Sequence, residues 1–378
     1  MFIRGFASIL CAAALLCGCN TETGVVKTQI DSDAMLSESI PEYKENRAVM
    51  DSAAAAVVYC CDNGEILYGH NINDRKAIAS ITKIMTAVIA LEYCETDDKA
   101  VKITEDMYAE GSSMYLRAGE ILKLSDLVRG MMAVSGNDAA NAAAVAVAGS
   151  KEKFAELMNK KAIELGMKNS YFVTPSGLDD SMHYSSAYDM ALLSSYAMKN
   201  KMFREIVSES NITVNYVSPE NKIQHLQNHN RLLKICKGCI GIKTGYTMKA
   251  GRTLTSCAER NGIRLAIVTL NDRNDWKDHC DLYDYAFGLV RRVKLADKNT
   301  TIEIPSADKN DGMICVSPEH DIIVTLKNED EGKTEKEIYV PPFLFEPYEH
   351  GEKIGRIEFT LNGKIIASEN LVITRERK

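Results

Sequence analysis

From its amino end, the chain sets one cation, Arg4, ahead of an apolar run from Phe6 to Cys17. That run is shorter than the roughly 20 residues needed to span a bilayer, and it reads as an export leader over residues 1–19. Asn20 to Met50 has little apolar periodicity and collects Asp31, Asp33, Glu38, Glu42 and Glu45, the pattern of a solvated tether over residues 20–51. From Ser52 the pattern changes. Ala54 to Cys61 and Glu65 to His70 are short apolar runs either side of Asn63-Gly64, which predicts a hairpin. Ile81, Ile84, Met85, Val88, Ile89 and Leu91 then keep the spacing of a helix with a buried face.

A helical stretch follows. Ser125 to Met132 predicts a helix with Ser125 as its N-cap. Ala139 to Ala148 is nearly all Ala and Val, so its helix can pack closely at the centre of a helical lobe. Lys151 to Leu165 is amphipathic and ends at Gly166. Thr174 to Leu178 is rich in turn formers, and Ala187 to Met198 is helical again. Ile212 to Val217 then reads as a strand. Thr253 to Cys257 and Ile263 to Leu270 form a hairpin through Arg260-Asn261-Gly262, and Tyr283 to Arg291 predicts a terminal helix across that sheet. Strands therefore flank a helical insert, an α+β architecture over residues 52–293. Beyond Val293 lie Pro305, Pro318, Pro341, Pro342 and Pro347, among the alternating runs Ile322 to Leu326, Lys336 to Val340, Ile354 to Leu361 and Lys364 to Ile366. These predict a small all-β domain over residues 294–378.

Composition adds exclusions. With 378 residues, 46% hydrophobic and 26% charged, the chain can bury a real core, and its net charge of −7 argues against nucleic acid as a partner. Cys236-Lys237-Gly238-Cys239 is one C-x-x-C with no second pair, and His70, His183 and His279 lack metal-ligand spacing, so neither a metal nor a cofactor is expected. Cys239 and Cys257 fall on neighbouring predicted strands, where a disulfide and free thiols are both open. Leu16-Cys17-Gly18-Cys19 resembles a bacterial lipobox. The resemblance makes Cys19 a candidate lipidation site, and the unusual Cys17 leaves cleavage elsewhere as the alternative.

The candidate chemistry begins at Ser80-Ile81-Thr82-Lys83. On a helix, i and i+3 share a face with Cβ atoms roughly 5–6 Å apart, so the Lys83 amine can act as base for the Ser80 hydroxyl. The bland alternative is a serine cap on a buried helix. Two further Ser-x-x-Lys matches, Ser150 to Lys153 and Ser306 to Lys309, have no apolar face behind them. Ser135-Gly136-Asn137 has a chance copy at Ser368-Glu369-Asn370, whereas Lys243-Thr244-Gly245 occurs once. Their order in the chain carries the signal, being the known signature of penicillin-binding proteins and class A β-lactamases.

Ala79 to Thr86, Ser135 to Ala140, Pro175-Ser176-Gly177-Leu178 and Gly241 to Thr247 together resemble the serine-type D-alanyl-D-alanine carboxypeptidases, the low-molecular-mass penicillin-binding proteins. The resemblance covers about residues 52–293, with a weaker likeness beyond. It implies a β-lactamase/transpeptidase-like antiparallel sheet with a helical lobe. It also implies removal of the terminal D-alanine from peptidoglycan stem pentapeptides, with β-lactams as covalent inhibitors. Ser80 would be the nucleophile, Lys83 its base, Ser135 a proton relay, and Asn137 a hydrogen-bonding partner of substrate and Lys83. Lys243 and Thr244 would hold the substrate carboxylate, Gly245 would let the strand approach, and the N–H groups of Ser80 and Tyr246 would form the oxyanion hole. Thr174 departs from the asparagine common before the proline, and His229 stands where some members have arginine; Arg252 and Arg273 are further carboxylate-binding candidates. The alternatives are a D,D-endopeptidase, a β-lactamase and a β-lactam sensor. For the β-lactamase, Glu156 to Asn159 is one residue short of the Glu-x-x-x-Asn pattern and reads as a solvated helix face. The leader and lipobox place the protein at the extracytoplasmic face of a bacterial membrane.

Overall fold

The computed structural model describes residues 52–308 and 312–377; the leader, the tether and Cys19 lie outside them. The first elements are β1 (Ala53–Cys60), β2 (Ile66–His70) and α1 (Lys83–Cys94), the last entered through a 3₁₀ turn at Ala79–Thr82. β3 (Ala100–Lys102) and β4 (Ile121–Lys123) lead into α2 (Leu124–Val134), α3 (Asn137–Ala148), α4 (Lys151–Glu164), α5 (Ala187–Ala197) and α6 (Lys201–Ser208). The chain returns through β5 (Asn211–Ser218), β6 (Ile223–Gln227), α7 (Leu232–Ile235), β7 (Cys239–Thr247), β8 (Gly251–Arg260), β9 (Ile263–Asp272) and α8 (Asp275–Phe287).

The central sheet runs β2-β1-β9-β8-β7, antiparallel at each step. It brings the first hairpin beside the last three strands and leaves β7 at an edge. One face of the sheet packs on Leu282, Tyr283 and Ala286 of α8. In α1, every residue from Lys83 to Leu91 is buried, so the helix that carries Lys83 runs through the interior. Ala139, Ala140, Ala142, Ala143 and Ala144 of α3 are also buried, and their small side chains allow α3 to sit close to its neighbours. A second sheet, β3-β4-β5-β6, borders the helical lobe.

The C-terminal part is all-β: β10 (Val290–Ala296), β11 (Ile302–Pro305), β12 (Met313–Pro318), β13 (Ile322–Lys327), β14 (Glu335–Tyr339), β15 (Lys353–Leu361) and β16 (Lys364–Arg377). Five of these strands make the sheet β11-β12-β16-β15-β14, and β10 pairs with β13. The expected division at 293/294 falls inside β10. Hydrogen bonds that join the two parts include Asn63 Nδ2 to Thr325 O, the Thr325 hydroxyl to Asp62, Asn328 N to Leu289 O and Asn328 Nδ2 to Gly288 O.

Some expectations need correction. Ser125 is not a cap: Lys123 holds that position in extended backbone, and the Ser125 hydroxyl and amide both donate to Asp98. The terminal helix starts at Asp275 rather than Tyr283 and ends before Arg291, which belongs to β10. Its buried face includes Asp275 and His279, polar residues that hid the period. Cys239 and Cys257 are free thiols; the register places Ala258 opposite Cys239, whose thiol donates instead to Gly241 O.

Candidate active site

The turn Ala79–Thr82 is built from both sides. Ile81 is fully buried, and the Thr82 hydroxyl donates to Ala79 O at 2.8 Å. Ala79 has φ of +49°, a left-handed conformation that an L-residue keeps only when its surroundings impose it. From the sheet, the Thr253 hydroxyl donates to Ile78 O at 2.9 Å. Ser80 is thus displayed on a fixed turn at the entry to α1, and Lys83 follows on the same side. Lys83 is fully buried, with Nζ 3.1 Å from Ser80 Oγ, 2.6 Å from Asn137 Oδ1 and 2.6 Å from Ser176 O.

Asn137 comes from the α2–α3 junction. Ser135 ends α2 in the left-handed region with φ of +63°, and Asn137 opens α3. The Asn137 amide nitrogen donates to Glu110 O at 2.6 Å, which fixes its oxygen toward Lys83, and the backbone N–H of Asn137 donates to Ser112 O at 2.7 Å. The next residue, Asp138, accepts from the Ser113 hydroxyl and from the amides of Met114, Leu116 and Ala139. One buried carboxylate therefore fastens residues 113–116 to the start of α3.

The third wall is β7. Lys243 is only 2% exposed, and its Nζ donates to Thr244 O at 2.9 Å. A Cβ on Gly245 would fall 2.4 Å from the Thr253 hydroxyl and 2.9 Å from Ser80 N, so glycine is what lets this strand lie against the Ser80 turn. Tyr246, the next residue, is 65% exposed. Below it, the Thr247 hydroxyl donates to Asp179 and Lys249 Nζ to Asp180 O, tying the end of β7 to residues 179–180.

Electrostatics follow from burial. Desolvation holds the Lys83 amine well below its usual range; the positive charge of Lys243 lowers it further, and Asp138 pulls the other way. Burial alone brings Lys243 down to about 7. Two buried lysines, one bonded to a serine hydroxyl, can supply a neutral amine as base and a cation for an anionic substrate near neutral pH.

Other candidates settle differently. Arg252 sits beside β7, but its guanidinium is held by both oxygens of Asp275, at 3.0 and 2.7 Å. Arg273 is exposed, just past β9. His229 is exposed and lies near enough to Lys243 for the ammonium to lower its pKa, behind the larger effect of burial. The Thr174 hydroxyl accepts from Gly177 N at 3.0 Å, which makes the loop turn. Glu156 and Asn159 do not share a solvated face as expected. Glu156 is exposed, while Asn159 turns inward, donating to Phe172 O at 2.7 Å and accepting from Phe172 N at 2.9 Å. Sequence reasoning missed the Ser176 carbonyl, since any residue supplies one. It also missed Asp138 and His183, which follow or lie outside the motifs.

Comparison with known proteins bears on the whole chain. Residues 43–274 match the family model described as D-alanyl-D-alanine carboxypeptidase, and residues 291–378 match that of the penicillin-binding protein 5 C-terminal domain. The D-alanyl-D-alanine carboxypeptidase DacF of Bacillus subtilis is 32% identical over 350 residues, 89% of this chain and 88% of the relative. Escherichia coli K12 DacA is 31% identical over 83% of this chain and 81% of its own length. The crystal structure of penicillin binding protein 5 from Haemophilus influenzae superposes with a TM-score of 0.65 at 30% identity, covering 86% of this chain and 97% of that one.

Proposed function

Because the chain belongs to the D-alanyl-D-alanine carboxypeptidase family and is a serine-type D-Ala-D-Ala carboxypeptidase, we propose that Ser80 is its nucleophile and Lys83 the base that activates it. The family acts on peptidoglycan peptides and binds β-lactams. The observation that carries the assignment is the fully buried Lys83 amine, 3.1 Å from Ser80 Oγ, with its pKa depressed and its other two bonds directed at acceptors.

Ser80 Oγ attacks the carbonyl carbon between the two D-alanines as Lys83 takes its proton. The oxyanion is met by the backbone N–H groups of Ser80 and Tyr246, a reading supported by the close approach of Gly245, the neighbour of Tyr246, to Ser80 N. The C–N bond then breaks, and the departing alanine amine takes a proton that Ser135 relays. An acyl-enzyme remains for water to hydrolyse. Lys243 and Thr244 hold the terminal carboxylate, and Asn137 hydrogen-bonds the peptide as well as Lys83. The substrate is the pentapeptide stem, whose free carboxylate suits the Lys243 cation on β7.

The decisive experiment pairs two readouts on Ser80→Ala: labelling by fluorescent penicillin, and D-alanine release from diacetyl-Lys-D-Ala-D-Ala. Both are expected to vanish with the fold intact; persistent labelling would refute the nucleophile. Lys83→Ala and Lys243→Ala should each slow acylation more than about tenfold, or roughly 1.4 kcal/mol of barrier.

For location, the reading is export followed by lipidation of Cys19 at the extracytoplasmic membrane face, supported by the leader and Leu16 to Cys19. No helix among the described residues is long and apolar enough to cross a membrane. Fractionation of a Cys19→Ser variant tests the anchor: release from membranes is expected, and unchanged membrane attachment would place the anchor elsewhere.

A further inference from the structure

His183 lies outside the three motifs, yet it is 4% exposed and joined to two of the segments that make the cleft. Its Nδ1 accepts from the backbone N–H of Val173 at 3.1 Å and of Thr174 at 3.3 Å. A nitrogen that accepts from two amides carries no proton, so the ring is the neutral tautomer protonated at Nε2. That N–H points at Thr82 Oγ1, 2.8 Å away, and the Thr82 hydroxyl in turn donates to Ala79 O. The edge-on ring of Phe172, 5.7 Å between centroids, packs against the imidazole.

Both ends of this chain of bonds matter to the reacting groups. At one end is Ala79, held at φ of +49° immediately before Ser80. At the other is the loop Thr174–Gly177, whose Ser176 carbonyl accepts from Lys83 and whose Pro175 carbonyl accepts from the Thr86 hydroxyl at 2.6 Å. The two segments touch. A Cβ on Gly177 would fall 2.0 Å from Ala79 O and 2.7 Å from the Thr82 hydroxyl, so no side chain separates them.

Building on the Ser80–Lys83 assignment, we propose that His183 is a positioning residue for acylation: through Thr82 it sets the nucleophile turn, and through the amides of Val173 and Thr174 it sets the carbonyl that orients the base. It touches neither Ser80 nor Lys83. A protonated ring would turn Nδ1–H against two amide donors and lose the arrangement. Burial brings the pKa of His183 down to about 4, against Asp180 and Asp179, which face it and raise it, and with Lys249 and Lys83, which lower it.

The test is a double-mutant cycle on acylation by penicillin and on peptide turnover, with each variant shown folded by its melting transition. His183→Asn keeps an acceptor near Nδ1 but cannot reach Thr82; Thr82→Val removes the hydroxyl at nearly constant volume; Thr82→Ser keeps it. His183→Asn and Thr82→Val should each lower the acylation rate about tenfold with KM for the peptide changed less than about twofold, and the double variant should fall no further than the worse single. Thr82→Ser should stay within about twofold of the parent, since the relay is intact. Multiplicative losses in the double variant, or normal acylation by Thr82→Val, would overturn the proposal. Failure of the underlying reading shows separately, as penicillin labelling that survives Ser80→Ala.

Discussion

Lys243 is a cation kept where a cation is costly, and replacing it should stabilise the protein in a pH-dependent way. Burial takes its pKa from the ordinary 10.5 of lysine to about 7, a gap of about 3.5 units. At about 1.4 kcal/mol per unit this is about 5 kcal/mol, an upper value for the cost of holding the ammonium at 2% exposure. The folded pKa is the lower one, so between pH 7 and 10.5 the unfolded chain binds more protons and stability rises with pH, by at most about 1.4 kcal/mol per unit. Lys243→Met removes the titration. It also removes one hydrogen bond to Thr244 O, worth about 1 kcal/mol. The variant should therefore exceed the parent by about 2–4 kcal/mol at pH 7 and lose that advantage by pH 10, while its acylation falls more than about tenfold. Urea unfolding of both proteins at the two pH values measures the difference, in which ionisations common to both cancel. A stability difference independent of pH, or a variant less stable at pH 7, would show that Lys243 does not carry its charge as described.

Three other outcomes are expected. The penicilloyl adduct should persist for minutes or longer, because Asp179 is bonded to the Thr247 hydroxyl, Asp180 accepts from Met182 N, and Glu156 is on the surface of α4; mass spectrometry after a penicillin pulse gives the lifetime, and loss within seconds would favour a β-lactamase. Acid should destabilise the fold early, since burial holds His279 at about 3 and His183 at about 4, so stability is lost as pH falls from about 6.5 toward those values. His279→Leu should remove part of that loss in melts between pH 4 and 6.5 while costing about 1–3 kcal/mol at pH 7, because Ser256 and Thr269 lose their ring partner. A chain truncated after Leu289 should acylate within about twofold of the parent, since among the described residues no group of the site lies beyond it; an inactive, folded truncation would show that β10 and β13 support the site.

How much could be read beforehand varies with where the chemistry sits. Lys83 was visible because side-chain spacing on a buried helix is written in the order of residues, and from Ile84 to Leu91 only Thr86 interrupts the apolar run. The hairpin at Arg260-Asn261-Gly262 was visible because its turn needs unusual backbone. In contrast, β6 alternates between half-buried and exposed positions with a polar residue at nearly every other place, and no core face marks it. α6 is short, with only Phe203, Ile206 and Val207 facing inward. The Ser176 carbonyl and the amides of Val173 and Thr174 were hidden for a different reason: backbone groups leave no trace in residue type. His183 is legible only through them.

Lys83 has three neighbours, and counting protons shows what they do. As an ammonium it has three hydrogens for three acceptors, Ser80 Oγ, Asn137 Oδ1 and Ser176 O, and every bond runs outward from the nitrogen. As an amine it has two hydrogens and a lone pair, so one of the three bonds must reverse. A peptide carbonyl has no hydrogen to give, and the Asn137 oxygen has none either, its amide nitrogen being turned to Glu110 O. Only the serine hydroxyl can become a donor. Loss of one proton from Lys83 thus selects a single bond to invert, and the inverted bond is the one along which Ser80, in the role proposed for it, gives up its proton.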